Sequence, residues 1–237
     1  METDRQAHWL HPLTALNYAR AAVQVGLWKS EEILVSHYFH RDDHLLELGC
    51  GGGRAGLGLW QRGYQNLTIT DFSPVMVDMT RHVFDEIAPT HLATIEKANA
   101  CSLHYADESF DGVLFAFNGL MCLRGREDRQ KALPEIFRVL KPGGIFLFTA
   151  NDREKGENAQ AWAREPKLPD GEPGDRWHET ESTPVFMHSS TESETLAELN
   201  GVGFKILQSK LRSEIASENA VVKNFAGETR FYVAQKV

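Results

Sequence analysis

A chain of 237 residues, 42% of them hydrophobic, is long enough to bury one substantial core but short of two full domains. Its formal net charge of −8, with no run of lysines and arginines, argues against a nucleic-acid partner. The cysteines at 50, 101 and 122 form no CxxC pair, so neither a disulfide framework nor a zinc knuckle is expected. No apolar stretch approaches the roughly 20 residues of a membrane span, and the N-terminus lacks the basic-then-apolar order of a signal peptide. The expectation is a soluble cytoplasmic protein, monomeric or homodimeric.

Residues 13 to 39 read as two helices, LTALNYARAAVQV and a segment starting at Ser30-Glu31-Glu32, so that residues 1–40 form an N-terminal helical cap. HLLELGC is then a buried strand, and RAGLGLWQRG a helix ended by Gly63. NLTITDF is the second strand. Ser73-Pro74 opens the next helix with a capping hydroxyl and a proline at its first position. LATIEKA is the third strand and SFDGVLFAF the fourth, almost continuously apolar as in a parallel sheet covered on both faces. Residues 126 to 140 are helical, with Pro134 expected to kink or split the segment. Lys141-Pro142-Gly143-Gly144 reads as a turn into a fifth strand, IFLFTA.

From 151 to about 190 charged residues and prolines accumulate, which marks a lid-like insertion with at most one short helix. The capping box TESE at 191–194 starts a helix ending near Gly201. KILQSKLRSEI and TRFYVAQKV are expected as a final antiparallel pair. Alternating strands and helices make this an α/β chain: a Rossmann-like, doubly wound, seven-stranded sheet, mostly parallel with the last strand antiparallel, and helices on both faces.

The chemistry is concentrated where the first strand runs into glycines. A strand that stops there and passes directly into a helix exposes backbone N–H groups and the positive end of the helix dipole at the carboxyl edge of the sheet. Two frames compete. GGGRAG at 51–56 satisfies GxGxxG, and Asp71 follows about 20 residues later, as a nicotinamide dinucleotide fingerprint requires. The other frame is Glu47-x-Gly49-x-Gly51-x-Gly53, which resembles the first motif of class I S-adenosylmethionine-dependent methyltransferases. Further residues carry the same resemblance: Asp71 in TITDFS, Asn99-Ala100-Cys101 after the third strand, SFDGVLF, and LKPGGIFLF, together spanning about residues 44 to 150.

The resemblance implies transfer of a methyl group from S-adenosylmethionine to an N, O or C atom of a small-molecule acceptor, by in-line displacement in a domain spanning 41–237. It implies close backbone approach at Gly49 and Gly51, a carboxylate near the cationic ligand at Glu47 and ribose contacts from Asp71. It also implies an adenine site from Phe72, Leu103, Asn99, Ala100 and Cys101, and a methionine-end contact from the Asn118 carbonyl. Asn99 departs from the family's usual Asp, and the asparagine-proline-proline-aromatic signature of enzymes that methylate nucleic-acid amino groups is absent. Arg54 is either a contact for the cofactor carboxylate or a surface residue.

The acceptor is expected over strands four and five, with Tyr18, Trp28, Arg153, Trp177, His178 and His188 as candidates. His178, His188 and Asn118 are the catalytic candidates, the histidines as bases from within the lid. His37, His40 and His44 lack an acid or cysteine to complete a metal site, so no metal is expected. The alternatives are an NAD(P)-dependent oxidoreductase and a non-catalytic S-adenosylmethionine-binding domain.

Overall fold

The computed structural model describes residues 7–155, 159–160, 162, 168 and 171–237. A seven-stranded sheet runs in the order β3-β2-β1-β4-β5-β9-β8. Its strands are β1 (Leu45–Glu47), β2 (Leu67–Asp71), β3 (Thr94–Lys97), β4 (Phe110–Phe115), β5 (Leu140–Ala150), β8 (Phe204–Leu211) and β9 (Arg230–Lys236). The first five are mutually parallel, and β9 lies antiparallel to both β5 and β8. The order reverses between β1 and β4, which places a crevice over their carboxyl ends.

Both faces are covered. On one, α3 (Lys29–Tyr38), α4 (Arg54–Gln61) and α5 (Pro74–Ile87) pack Leu34, Leu57 and Phe84 against Leu45, Ile69 and Leu114. On the other, α6 (Arg126–Val139) and α7 (Glu192–Val202) pack Leu133, Ile136 and Leu199 against Leu46, Val113 and Phe146. Neighbouring strand residues such as Leu45 and Leu46 therefore enter opposite cores, which explains runs without polar alternation. Each such fully buried side chain contributes about 1.5–3 kcal/mol.

Several local readings are corrected. A short α1 (Ala7–Leu10) precedes α2 (Pro12–Gln24). Pro134 sits inside one unbroken α6. Lys141-Pro142-Gly143-Gly144 belongs to β5 as an irregularity, the register jumping from Phe110↔Leu140 to Gly112↔Ile145. α7 continues past Gly201 and is closed by Gly203 at φ +107. Residues 212–215, expected as strand, form the helix α8 (Arg212–Ile215), followed by α9 (Ala220–Phe225).

The insertion holds an antiparallel hairpin of β6 (Asp175–His178) and β7 (Val185–His188). Residues 1–6 of the cap, the segment around Arg164 to Lys167 and most of the short helix expected there lie outside the described residues.

Candidate active site

The loop from Leu48 to Gly53 joins β1 to α4, and Asp71 at the end of β2 fixes it. The Gly51 N–H donates to Asp71 Oδ2 at 2.9 Å, and the Ser73 N–H donates to Oδ1 at 2.8 Å. Gly51 has φ +56, and a Cβ there would stand 2.8 Å from Tyr18 Cδ1. A Cβ on Gly52 would collide with the Ala19 backbone, so α2 rests directly on the loop. Burial pushes the Asp71 carboxyl up to about 6, against the N–H donors of Ser73, Gly51 and Phe72. Cys50 is buried with Sγ 3.4 Å from Thr80 Oγ1, which is a packing role.

Below the loop lies a second acid. Glu47 is 3% exposed, and its Oε2 has no hydrogen-bond partner. Burial pushes its carboxyl from 4.5 up to about 8; the pull of Arg54 opposes this, and the charges of Glu31 and Asp71 add to it. Arg54 is neither a surface residue nor free for a ligand carboxylate. Its guanidinium is buried in a two-pronged pair with Glu31 of α3 at 2.6 and 2.7 Å, donates to the Gly26 carbonyl and lies over Trp28. Glu31 also accepts from the Trp28 N–H, and Glu218 accepts from the N–H groups of Lys29 and Ser30. The cap, the glycine loop and the C-terminal segment thus meet around one buried ion pair.

Above the sheet edge these pieces enclose a cavity of about 590 Å³. Asp71, Phe72 and the Asn99-Ala100-Cys101 turn line it after β2 and β3, on one side of β1. Phe115, Ala116, Phe117 and Gly119 line it after β4, on the other side, while Trp9 and Tyr18 from the cap and Phe225 from α9 complete the wall. Phe117 and Asn118 are consecutive left-handed residues with φ +50 and +61. For a residue as bulky as phenylalanine that costs about 1–3 kcal/mol, a strain that surrounding structure must hold.

A family model described as a methyltransferase domain matches residues 46–148. A demethylmenaquinone methyltransferase of Symbiobacterium thermophilum is 32% identical over 135 residues, covering 56% of this chain and 52% of that protein. Residues 46–148 thus match a methyltransferase domain, and the fold is that of solved methyltransferases. It spans about half the length of the curated relatives it matches. A solved methyltransferase structure from Methanosarcina mazei superposes with a TM-score of 0.69 at 21% identity, over 86% of this chain and 97% of that one. The [4+2]-cyclase SpnF superposes at 0.70 with 19% identity, over 98% and 96%. At such identities these two carry the fold alone.

Within this methyltransferase domain the expected cofactor residues Glu47, Gly49, Gly51, Asp71, Phe72, Asn99, Ala100 and Cys101 gather around the one cavity. The Asn99 Oδ1 accepts from the Cys101 N–H at 3.0 Å, so its carbonyl shapes the turn. Leu103 is buried in the core and does not reach the cavity wall. Asn118 is buried behind the wall: its Oδ1 accepts from Thr229 and its carbonyl from the Met121 N–H, so its side chain is committed to the fold.

The acceptor candidates divide. Tyr18 lines the cavity, whereas Trp28 is wholly buried between Arg54 and Arg212. Arg153 pairs with Glu194, and Trp177 lies beneath Arg124. Neither expected base is in the cavity wall. His178 lies edge-on to Trp162, and His188 is 3% exposed with Nδ1 2.7 Å from Asp175 Oδ1. Burial, then Arg129, pushes the His188 imidazole down, opposed by Asp175 and Glu172.

Among the described residues, Glu172, Asp175 and His188 bring potential metal-ligand atoms within 4.8 Å of one another. Arg129 and Arg126 already pair with Glu172, so the set reads as an ion network clamping the hairpin to α6. At its other end the hairpin turn meets the cap: His8 Nδ1 donates to the Thr183 carbonyl at 2.9 Å, and Thr14 bonds Ser182 at 2.8 Å. Sequence reasoning missed Trp9, Phe117 and Phe225 in the wall and Glu31 and Glu218 in its support. Phe117 alone had a signal, as an aromatic directly after an apolar strand.

Proposed function

We propose that this chain binds S-adenosylmethionine over the Gly49–Gly53 loop and transfers its methyl group to a small-molecule acceptor seated between the N-terminal cap and the end of β4. The observation that supports the cofactor best is the buried, unpartnered Glu47 oxygen beneath a glycine cradle whose backbone is tied to Asp71. The Asp71 carboxylate, ionised at neutral pH, suits a cationic sulfonium and ammonium ligand, and Glu47 beneath the loop can ionise as such a ligand arrives.

The ligand supplies an already activated methyl group. The protein's task is then to hold a nucleophile in line and to exclude water. As the acceptor atom gained the methyl, the carbon–sulfur bond would break with its electron pair left on sulfur as a neutral thioether; an ionised phenol would have no proton to lose, whereas a methylated ring carbon would lose its ring proton to solvent once the site opens. Tyr18, resting on Gly51, and Trp9 close the cap side of the cavity, and the hairpin contacts through His8 and Thr14 brace that cap. The described acids of the wall are Glu47, Asp71 and Asp128, and an electron-rich ring carbon or an ionised phenol suits it as an acceptor whose nucleophile needs no stronger base. The name of the Symbiobacterium relative, which acts on a demethylated menaquinone, supports the same choice.

Calorimetric titration with S-adenosylmethionine, S-adenosylhomocysteine and NADH tests the proposal. Micromolar binding of the first two alone is expected, followed by transfer of labelled methyl into a pool of phenols and quinols. Binding of NADH alone would overturn it. Binding of S-adenosylmethionine with no transfer to any acceptor pool would favour a non-catalytic binding domain.

A further inference from the structure

The carboxyl end of β4 holds a conformation that side chains rarely adopt twice in succession, and outside residues lock it. The Asn118 N–H donates to Thr149 Oγ1 of β5 at 2.8 Å. The Thr229 hydroxyl, just before β9, reaches Asn118 Oδ1 at 3.0 Å, and both threonines are buried. The lock turns the preceding Phe117 out of line with the strand and into the cavity wall. There its ring stacks on Phe225 at 4.7 Å with 24° between planes and meets Tyr18 edge-on at 6.3 Å; Trp9 extends the row 5.8 Å beyond Tyr18.

A glycine or asparagine would make the same turn with less strain. What phenylalanine adds is a ring, half-buried and facing a cavity, across β1 from the Asp71 and Asn99 side. The inner edge of the ring packs against the core, meeting the buried Trp28 edge-on at 5.8 Å, while its half-buried remainder lines the cavity, and strain retained at such a junction fits a binding wall.

We propose that Phe117 is the specificity-determining residue for the methyl acceptor, a wall against which a planar aromatic ring stacks, and that Asn118, held by Thr149 and Thr229, is its positioning residue. The proposal rests on the methyltransferase reading of the same cavity. Flat acceptors gain ring stacking and edge contacts along Trp9, Tyr18, Phe117 and Phe225. Puckered aliphatic acceptors of equal size gain only burial.

The test uses the full chain saturated with S-adenosylhomocysteine and titrated with 2-naphthol or decahydro-2-naphthol, which share a skeleton and a hydroxyl and differ in planarity. Wild type should bind 2-naphthol at least tenfold more tightly. Phe117→Leu should bring the ratio near one, Thr229→Val should lower it at least threefold, and Thr229→Ser should restore it. In all three the affinity for S-adenosylhomocysteine should stay within twofold of wild type. Should Phe117→Leu fail to fold, Phe225→Leu removes the stacking partner and should halve the ratio or more. A wild type without preference, or a preference untouched by these variants, overturns the proposal. If S-adenosylhomocysteine does not bind while the naphthol preference persists without it, the cofactor reading fails and the aromatic wall stands.

Discussion

Replacing Glu47 by glutamine isolates the ionisable group that the glycine loop sits on. In the unfolded chain this carboxyl ionises at its ordinary 4.5, while in the fold burial holds it protonated up to about 8. Unfolding between those pH values releases a proton. The stability this group contributes is therefore fully present below 4.5 and is lost as pH rises through about 8. The gap is worth about 3 to 5 kcal/mol, at about 1.4 kcal/mol per tenfold change in proton affinity. Glutamine cannot ionise and carries no such slope. Its amide N–H groups take the place of an oxygen that has no partner, at a cost of about 1–3 kcal/mol at every pH.

Glu47→Gln should accordingly be less stable than wild type at pH 5, cross it between about pH 5 and pH 7 and exceed it at pH 9. Urea denaturation of both proteins from pH 5 to pH 9 reads this directly. Groups common to both, including Asp71, Glu31 and Arg54, cancel in the difference curve. Parallel curves would refute the reasoning, since they would mean that Glu47 is already ionised in the fold. A linked expectation is that binding a cationic ligand at pH 7 expels a proton from Glu47, seen as a calorimetric heat that varies with the buffer's ionisation enthalpy.

Three further outcomes test the same junction. Gly52→Ala should cost about 1–3 kcal/mol in thermal unfolding, because its Cβ meets the Ala19 backbone of α2; a neutral result would mean that the cap does not rest on the loop. Arg54→Met should cost about 3–5 kcal/mol by leaving Glu31 buried and unpaired, and Glu31→Gln in the same chain should recover much of it; additive losses in denaturant titrations would count against the pair. Asp71→Asn should weaken S-adenosylhomocysteine binding by about 1–3 kcal/mol, roughly 5- to 150-fold. Since burial pushes Asp71 up to about 6, wild-type affinity should fall as pH drops through that value and the variant's should not.

Most of the sheet was legible because each parallel strand here is a short, doubly covered apolar run followed by a helix with its own start signal. Ser73 and the Thr191/Glu194 box cap α5 and α7 as their residue types require. The local errors share a cause, since tertiary contact overrode a propensity each time. Pro134 breaks helices in isolation, yet Leu133 and Ile136 on either side of it are buried against the sheet and keep α6 whole. Gly143-Gly144 has turn chemistry, but β5 pairs with β4 at Leu140 before it and with both β4 and β9 from Ile145 after it, so it stays within the strand as an irregularity.

The site divides along the same line. Gly51 and Asp71 were legible because their bond joins the ends of adjacent strands, and motif spacing encodes that geometry. Asn118 was placed by its position after β4, but its polar atoms are taken by Thr149 and Thr229, 31 and 111 residues away. His188 was read as a lid base, until the β6–β7 register paired it with Asp175 and turned it inward. The aromatic wall draws on Trp9, Tyr18, Phe117 and Phe225, four residues in segments that no local pattern connects. This separation has a functional consequence. On the proposed reading, the cofactor half is confined by backbone glycines and a strand-end acid that tolerate little change, whereas the acceptor half is built from exchangeable side chains on peripheral segments. Substitutions at Phe117 or Phe225 can thus redirect the acceptor while leaving the Gly51–Asp71 tie intact.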